Sequence, residues 1–174
     1  RGLSEALSTD RFVDIQAEVA HQFDRPVRIR NVRIFDPERQ SLTTQRDVVI
    51  YGERIASVQP AGSTVTAGEV VIDGEGGALV PGMYEMHGHL GQDNALLNIA
   101  AGVTSVRDMG NQNAVLEDLM ERINTGLLAG PRITRSCFIE GESPFSASSG
   151  ETVATLEEAL EMVRWCGSRD FHQI

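Results

Sequence analysis

Apolar positions along this chain fall into two textures that change near residue 80. Between Val27 and Val80 they come in short runs: Val27 to Phe35, Asp47 to Tyr51, Arg54 to Val58, Val70 to Asp73 and Ala78 to Val80. Turn residues separate them, in Asp36-Pro37, Tyr51-Gly52-Glu53, Gln59-Pro60-Ala61-Gly62 and Asp73-Gly74-Glu75-Gly76-Gly77. Short β-rich runs punctuated this way predict antiparallel hairpins, assembled as a small β-sandwich. Upstream, Phe12, Ile15, Val19 and Phe23 recur at helical spacing, and Asp10 is placed to cap the helix they predict.

After Leu90 the period becomes that of alternating helices and strands. The pattern predicts a helix from Asp93 to Ala101 stopped by Gly102, then a strand from Val103 to Arg107. Asn113 is placed to cap a helix with the stripe Val115, Leu116, Leu119, Met120 and Ile123, ending near Gly126. A strand from Ile133 to Ile139 follows. Thr155-Leu156-Glu157-Glu158 reads as a capping box for a helix that turns Leu160, Val163 and Trp165 or Cys166 inward and stops at Gly167. Phe171 begins another strand. Strand and helix alternating at this spacing predict a parallel sheet with helices outside, an α/β fold.

Composition narrows the function classes. The chain has 174 residues, 41% of them hydrophobic, which suffices for one ordinary domain or two small ones. No apolar run approaches the roughly 20 residues that a membrane helix needs, so a water-soluble protein is expected. The formal charge of −10 argues against a nucleic-acid footprint. All 15 basic residues are Arg, and there is no Lys. Cys137 and Cys166 lack Cys-x-x-Cys spacing and are read as two buried thiols rather than as a disulfide. The first residue is Arg1, so the compartment stays open between the cytoplasm and, after removal of a signal peptide, an extracytoplasmic one.

The chemistry concentrates in Val80-Pro81-Gly82-Met83-Tyr84-Glu85-Met86-His87-Gly88-His89-Leu90. Side chains at i and i+2 of a strand share a face, so His87 and His89 can reach one cation. On spacing alone, a core histidine beside a surface histidine is the stronger reading, because an isolated His-x-His is a weak pattern. Gly76-Gly77 is too short for a phosphate cradle, because no helix N-terminus follows it. The serines of the loop from Glu140 to Gly150 lack a Gly-x-Ser-x-Gly elbow. His21 and His172 have no spacing that ties them to the pair and are read as structural.

The stretch from Leu79 to His89 resembles the opening barrel strand of the amidohydrolase superfamily, which reads apolar-Pro-Gly-apolar-apolar-Asp-x-His-x-His, with Glu85 standing where the family usually has Asp. Ala100 to Gly110 is similar to the second barrel strand of its imidazolonepropionase-like and prolidase-like subgroup. The resemblance, which covers Val27 onward, implies the first three to four βα units of a (β/α)8 TIM-type barrel over 81–174, preceded by part of an accessory β-sandwich over 27–80; the leading helix or linker over 1–26 lies outside it. It implies a metal-dependent hydrolase of C–N bonds in small-molecule amides or cyclic amides, acting through metal-activated water. One or two divalent ions are expected, zinc first among them, with His87 and His89 as ligands.

Other features follow from the same resemblance. Glu85 is expected to pair with an Arg inside the barrel. Arg107 and Asp108, at a strand's C-terminal end, are read either as substrate contacts or as an internal ion pair. Relatives place a metal-bridging Lys on the fourth strand, further His ligands on the fifth and sixth, and a catalytic Asp on the eighth. This chain is therefore expected to be part of a longer protein, inactive alone and prone to self-association through an open strand edge, a homo-oligomer included. Two alternatives remain: a non-catalytic interaction fragment, and a phosphotriesterase or lactonase with the same first-strand ligands.

Overall fold

The computed structural model describes residues 11, 13–147 and 149–174, which divide into two compact units. The predicted helix cap at Asp10 and the stripe residue Phe12 lie outside the described residues.

The unit His21–Pro81 is built around one long strand. Strand β1 (Val27–Asp36) pairs antiparallel with β3 (Arg46–Tyr51), which forms a hairpin with β4 (Arg54–Pro60), and its far end pairs with β2 (Ser41–Leu42). Along its other edge run β5 (Val70–Asp73) and β6 (Ala78–Leu79), both parallel to β1. The expectation of hairpins throughout therefore holds for β1, β3 and β4 and fails for β5 and β6. The chain between β4 and β5 is long enough to return β5 in the direction of β1.

The glycine-rich turn explains how β5 and β6 share one edge. Asn31 sits at a register shift in β1 with φ 56°, a left-handed conformation that Asn tolerates. Against it, the Gly74 and Gly76 amides donate to the carbonyls of Arg30 and Asn31 at 2.8 and 2.7 Å. A Cβ on Gly74 would collide with Val32, so only glycine lets the turn lie this close. The run Gly74 to Gly77 is thus a structural joint.

Val27, Val32, Val48 and Val49 are buried in this unit, and with them an ionic cluster. Arg28, 1% exposed, donates through Nε and Nη2 to Glu69 at 2.6 and 3.1 Å, through Nη1 to Gln59 at 2.9 Å, and through Nη2 to the Thr64 carbonyl at 3.3 Å. Its hydrogen bonds hold the Glu69 carboxyl below the usual range for glutamate. Asp47 Oδ1 accepts the Asn31 amide, while Oδ2 lies 3.7 Å from Arg28 with no hydrogen bond.

The other unit comprises residues 1–20 and Gly82–Ile174. Its helix α1 covers 13–19 and ends short of Phe23, which the sequence pattern had placed on it. Gln16 ties it down by donating to the Leu127 carbonyl at 3.1 Å and accepting the Ala129 amide at 2.6 Å. Strands β7 (Met83–Gly88), β8 (Val103–Asp108) and β9 (Arg132–Arg135) form a parallel sheet in that order, connected by helices α2 (Gln92–Ala100) and α3 (Asn113–Asn124). Leu90, Ala95, Val106, Leu116, Leu119, Leu128 and Ile133 form the core between sheet and helices. Val115, expected on the buried stripe of α3, is exposed, and the N-cap is Gln112 rather than Asn113.

Beyond β9 the predicted strand breaks in two. Ser136 to Phe138 leave the sheet, and β10 (Ile139–Gly141) instead pairs parallel with β11 (Glu151–Val153). Helix α4 (Leu156–Gly167) has the predicted capping box: Thr155 accepts the Glu158 amide, and Glu158 accepts the Thr155 amide, both at 3.2 Å. Leu160 and Val163 are exposed, however, and Cys166 is the buried position. Phe171 to Ile174 contribute a single bridge, Ser136 to Gln173, rather than a strand.

Cys137 and Cys166 are buried as expected, yet they are joined by a disulfide across a Cα separation of 6.0 Å. Linear spacing could not reveal this, because the fold brings the end of β9 against the last turn of α4. None of the described helices is long and apolar enough to cross a membrane.

Candidate metal centre

The end of β7 carries both candidate ligands. His87 is the penultimate residue of the strand and His89 the first beyond it. Pairing with β8 is irregular between Glu85 and Gly88, and a Cβ on Gly88 would come within 2.6 Å of Val106 Cγ1, so glycine between the histidines lets β7 pass close to β8. The two rings lie 5.4 Å apart at 71° and are both exposed. Two imidazoles on one tetrahedral zinc, with Zn–N bonds of about 2.05 Å, place their centroids about 5.2 Å apart. The spacing therefore fits one shared cation.

The loop after β8 orients the second ring. His89 Nδ1 is 2.7 Å from the Gly110 carbonyl oxygen. A carbonyl only accepts, so in the neutral ring Nδ1 carries the proton and Nε2 keeps its lone pair. That is the arrangement in which metal-binding histidines are usually held.

Neither expected ion pair forms among the described residues. Among the described residues Glu85 pairs with no Arg; its Oε1 accepts the backbone amide of His87 at 2.9 Å. Arg107 and Asp108 form no ion pair with each other. Arg107 donates to the Met86 carbonyl at 2.7 Å, and Asp108, 0% exposed, accepts the Leu90 amide at 2.7 Å, the Gly110 amide at 3.1 Å and the Asn111 side-chain amide at 3.1 Å. Asp108 thus joins the loop that carries His89 to the loop that supplies its acceptor. The signal in the sequence was a strand-end carboxylate followed by Gly110-Asn111, a turn-forming pair that offers N–H donors.

The other histidines lie elsewhere. His21 is beside Phe23 at 6.1 Å, and the His172 amide donates to the Arg135 carbonyl at 3.1 Å. Among the described residues no group of three His, Cys, Asp or Glu side chains converges as a metal site. The donor set here is therefore two imidazoles, which fits the start of a coordination sphere and leaves it incomplete.

Comparison with solved structures identifies the fold. The chain superposes on a candidate prolidase of Bifidobacterium longum with a TM-score of 0.70 at 23% identity, covering 86% of this chain and 39% of that one. It matches a Xaa-Pro dipeptidase with methionine bound in its active site at a TM-score of 0.68 and 21% identity, over 82% and 44% of the two chains. A third match, to an amidohydrolase, has a TM-score of 0.62 at 20% identity and covers 86% and 46%. The fold is that of the amidohydrolases and prolidases. Among characterised sequences, the chain is 26% identical over 163 residues to an adenine deaminase of Chelativorans sp. (strain BNC1), covering 84% of this chain and 27% of that protein. No family model matches. The chain thus spans about a quarter of the adenine deaminase and less than half of each of these three solved structures.

Proposed function

We propose that this chain forms the opening part of an amidohydrolase-type enzyme that hydrolyses C–N bonds in small amide substrates, with β7, β8 and β9 as the first three strands of a (β/α)8 barrel. The observation that carries this reading is the His87–His89 pair, its rings 5.4 Å apart at the C-terminal end of a parallel strand, where barrels of this type place their chemistry. Two features support the barrel. The strands β7 to β9 are parallel in sequence order, and among the described residues β7 pairs only with β8, leaving Met83, Tyr84 and Met86 exposed where a neighbouring strand would close the ring. The β-strand unit, which ends at Pro81, is the accessory domain in this reading.

His87 and His89 would hold a divalent ion, for which zinc suits the imidazole donors. Such an ion supplies Lewis-acid activation of water and of the scissile carbonyl. The chain's own contribution is positional. Gly88 lets β7 lie against β8, Glu85 fixes the His87 backbone, and Gly110 fixes the tautomer of His89. The substrates named by the matched structures, Xaa-Pro dipeptides, and the adenine of the matched deaminase share a C–N bond open to water attack.

The test is His87→Ala in the complete protein. Zinc affinity is expected to fall more than about 100-fold, beyond the usual cost of losing an outer-shell partner, and hydrolysis of amide substrates is expected to fall with it. Unchanged affinity and unchanged turnover would refute the assignment.

A further inference from the structure

Asp108 is, among the described residues of this unit, the one fully buried acid that the proposed chemistry does not use. We propose that Asp108 is a positioning residue for His89. This rests, for the part that concerns metal, on the reading given above; the part that concerns the ring stands independently of it.

Asp108 closes β8 and is 0% exposed, with both carboxylate oxygens engaged. Oδ2 accepts the Leu90 amide, the residue directly after His89, and the Asn111 side chain. Oδ1 accepts the amide of Gly110, the residue whose carbonyl receives His89 Nδ1. Asn111 completes the joint by donating also to the Leu90 carbonyl at 2.7 Å. One carboxylate therefore holds both ends of the His89–Gly110 hydrogen bond: the backbone that carries the ring and the peptide that accepts from it.

A charged acceptor is required for this. Leu90 and Gly110 both present N–H groups, and both oxygens must accept. An amide at this position would turn an N–H toward one of those donors, so the otherwise isosteric Asn cannot keep both contacts. Hydrogen bonds to charged acceptors are also shorter and stronger than neutral ones, which suits a joint that fixes a ligand's direction. Gly110 packs against Phe138, where a Cβ would lie 3.2 Å from the ring, so a side chain at this position would press on it.

The experiment compares the complete protein with its Asp108→Asn and Asn111→Ala variants. In metal-free samples, nitrogen NMR of the histidine rings reads the tautomer of His89; zinc titration then reads affinity. Wild type is expected to show His89 protonated at Nδ1. Asp108→Asn is expected to mix the tautomers and to lower zinc affinity by about 10–100-fold, the usual range for an outer-shell partner. Asn111→Ala keeps the carboxylate and carries the same test should Asp108→Asn not fold, with a smaller effect in the same direction. A purely structural Asp108 would lower the urea midpoint while leaving tautomer and affinity of the folded protein unchanged, and that outcome overturns the proposal. Mixed tautomers with unchanged zinc affinity would support the positioning of His89 and remove the metal reading instead.

Discussion

Reducing the Cys137–Cys166 bond tests the fold at a link that linear spacing did not announce. The bond closes a loop across 29 residues, and the denatured chain without it gains about 12 cal/mol/K of entropy, worth about 3.6 kcal/mol at room temperature. With an unfolding slope of about 2 kcal/mol/M, the urea midpoint is expected to fall by about 1.8 M. Trp165, the chain's single tryptophan, lies next to Cys166 in α4, so its fluorescence follows the unit that contains the bond. Both sulfur-bearing residues are at most 1% exposed, so the native protein should resist mild reductant and the reduced curve must be collected by refolding in its presence. Coincident curves with and without reductant would refute the reasoning, as would two reactive thiols in the denatured, unreduced chain.

Two further outcomes are expected. Thr155→Ala removes the oxygen that accepts the Glu158 amide and should cost about 1 kcal/mol, read as a lower urea midpoint by Trp165 fluorescence, whereas Thr155→Ser should keep most of it. In the strand unit, Arg28 depresses the Glu69 carboxyl below its ordinary value of 4.5, so this contact stabilises the fold above pH 4.5 and is lost as pH falls through the lowered folded value. Glu69→Gln should therefore weaken the unit at neutral pH and flatten its acid dependence below 4.5, followed by amide hydrogen exchange in β1; parallel pH profiles for variant and wild type would count against it.

What could be read in advance was local. Turn residues bracket β3, β4, β5 and β6, and their observed ends differ from the predicted ones by two residues or fewer, because Gly, Pro and Asp act on the chain where they stand. The capping box at Thr155 was legible for the same reason. What escaped depends on partners distant in sequence. The parallel pairing of β5 and β6 with β1 is decided by Asn31 and the glycine joint, more than 40 residues apart. The disulfide and the break at Ser136 depend on α4 and on Gln173. At the candidate site, the His-Gly-His spacing announced the pair, while the service of Asp108 and Gly110 to His89 arises only when two loops meet.

The place of β1 in its sheet also has a consequence for biosynthesis. The β3–β4 hairpin can close on one side of β1 once residue 60 has left the ribosome, but β5 and β6, which seal the opposite side, end at residue 79. At about 5–20 residues per second, the nascent chain carries an uncovered β1 flank for roughly 1–4 s. During that interval the flank is a template for any extended polypeptide nearby, and slowing translation over the Gly74 to Gly77 codons would lengthen the exposure.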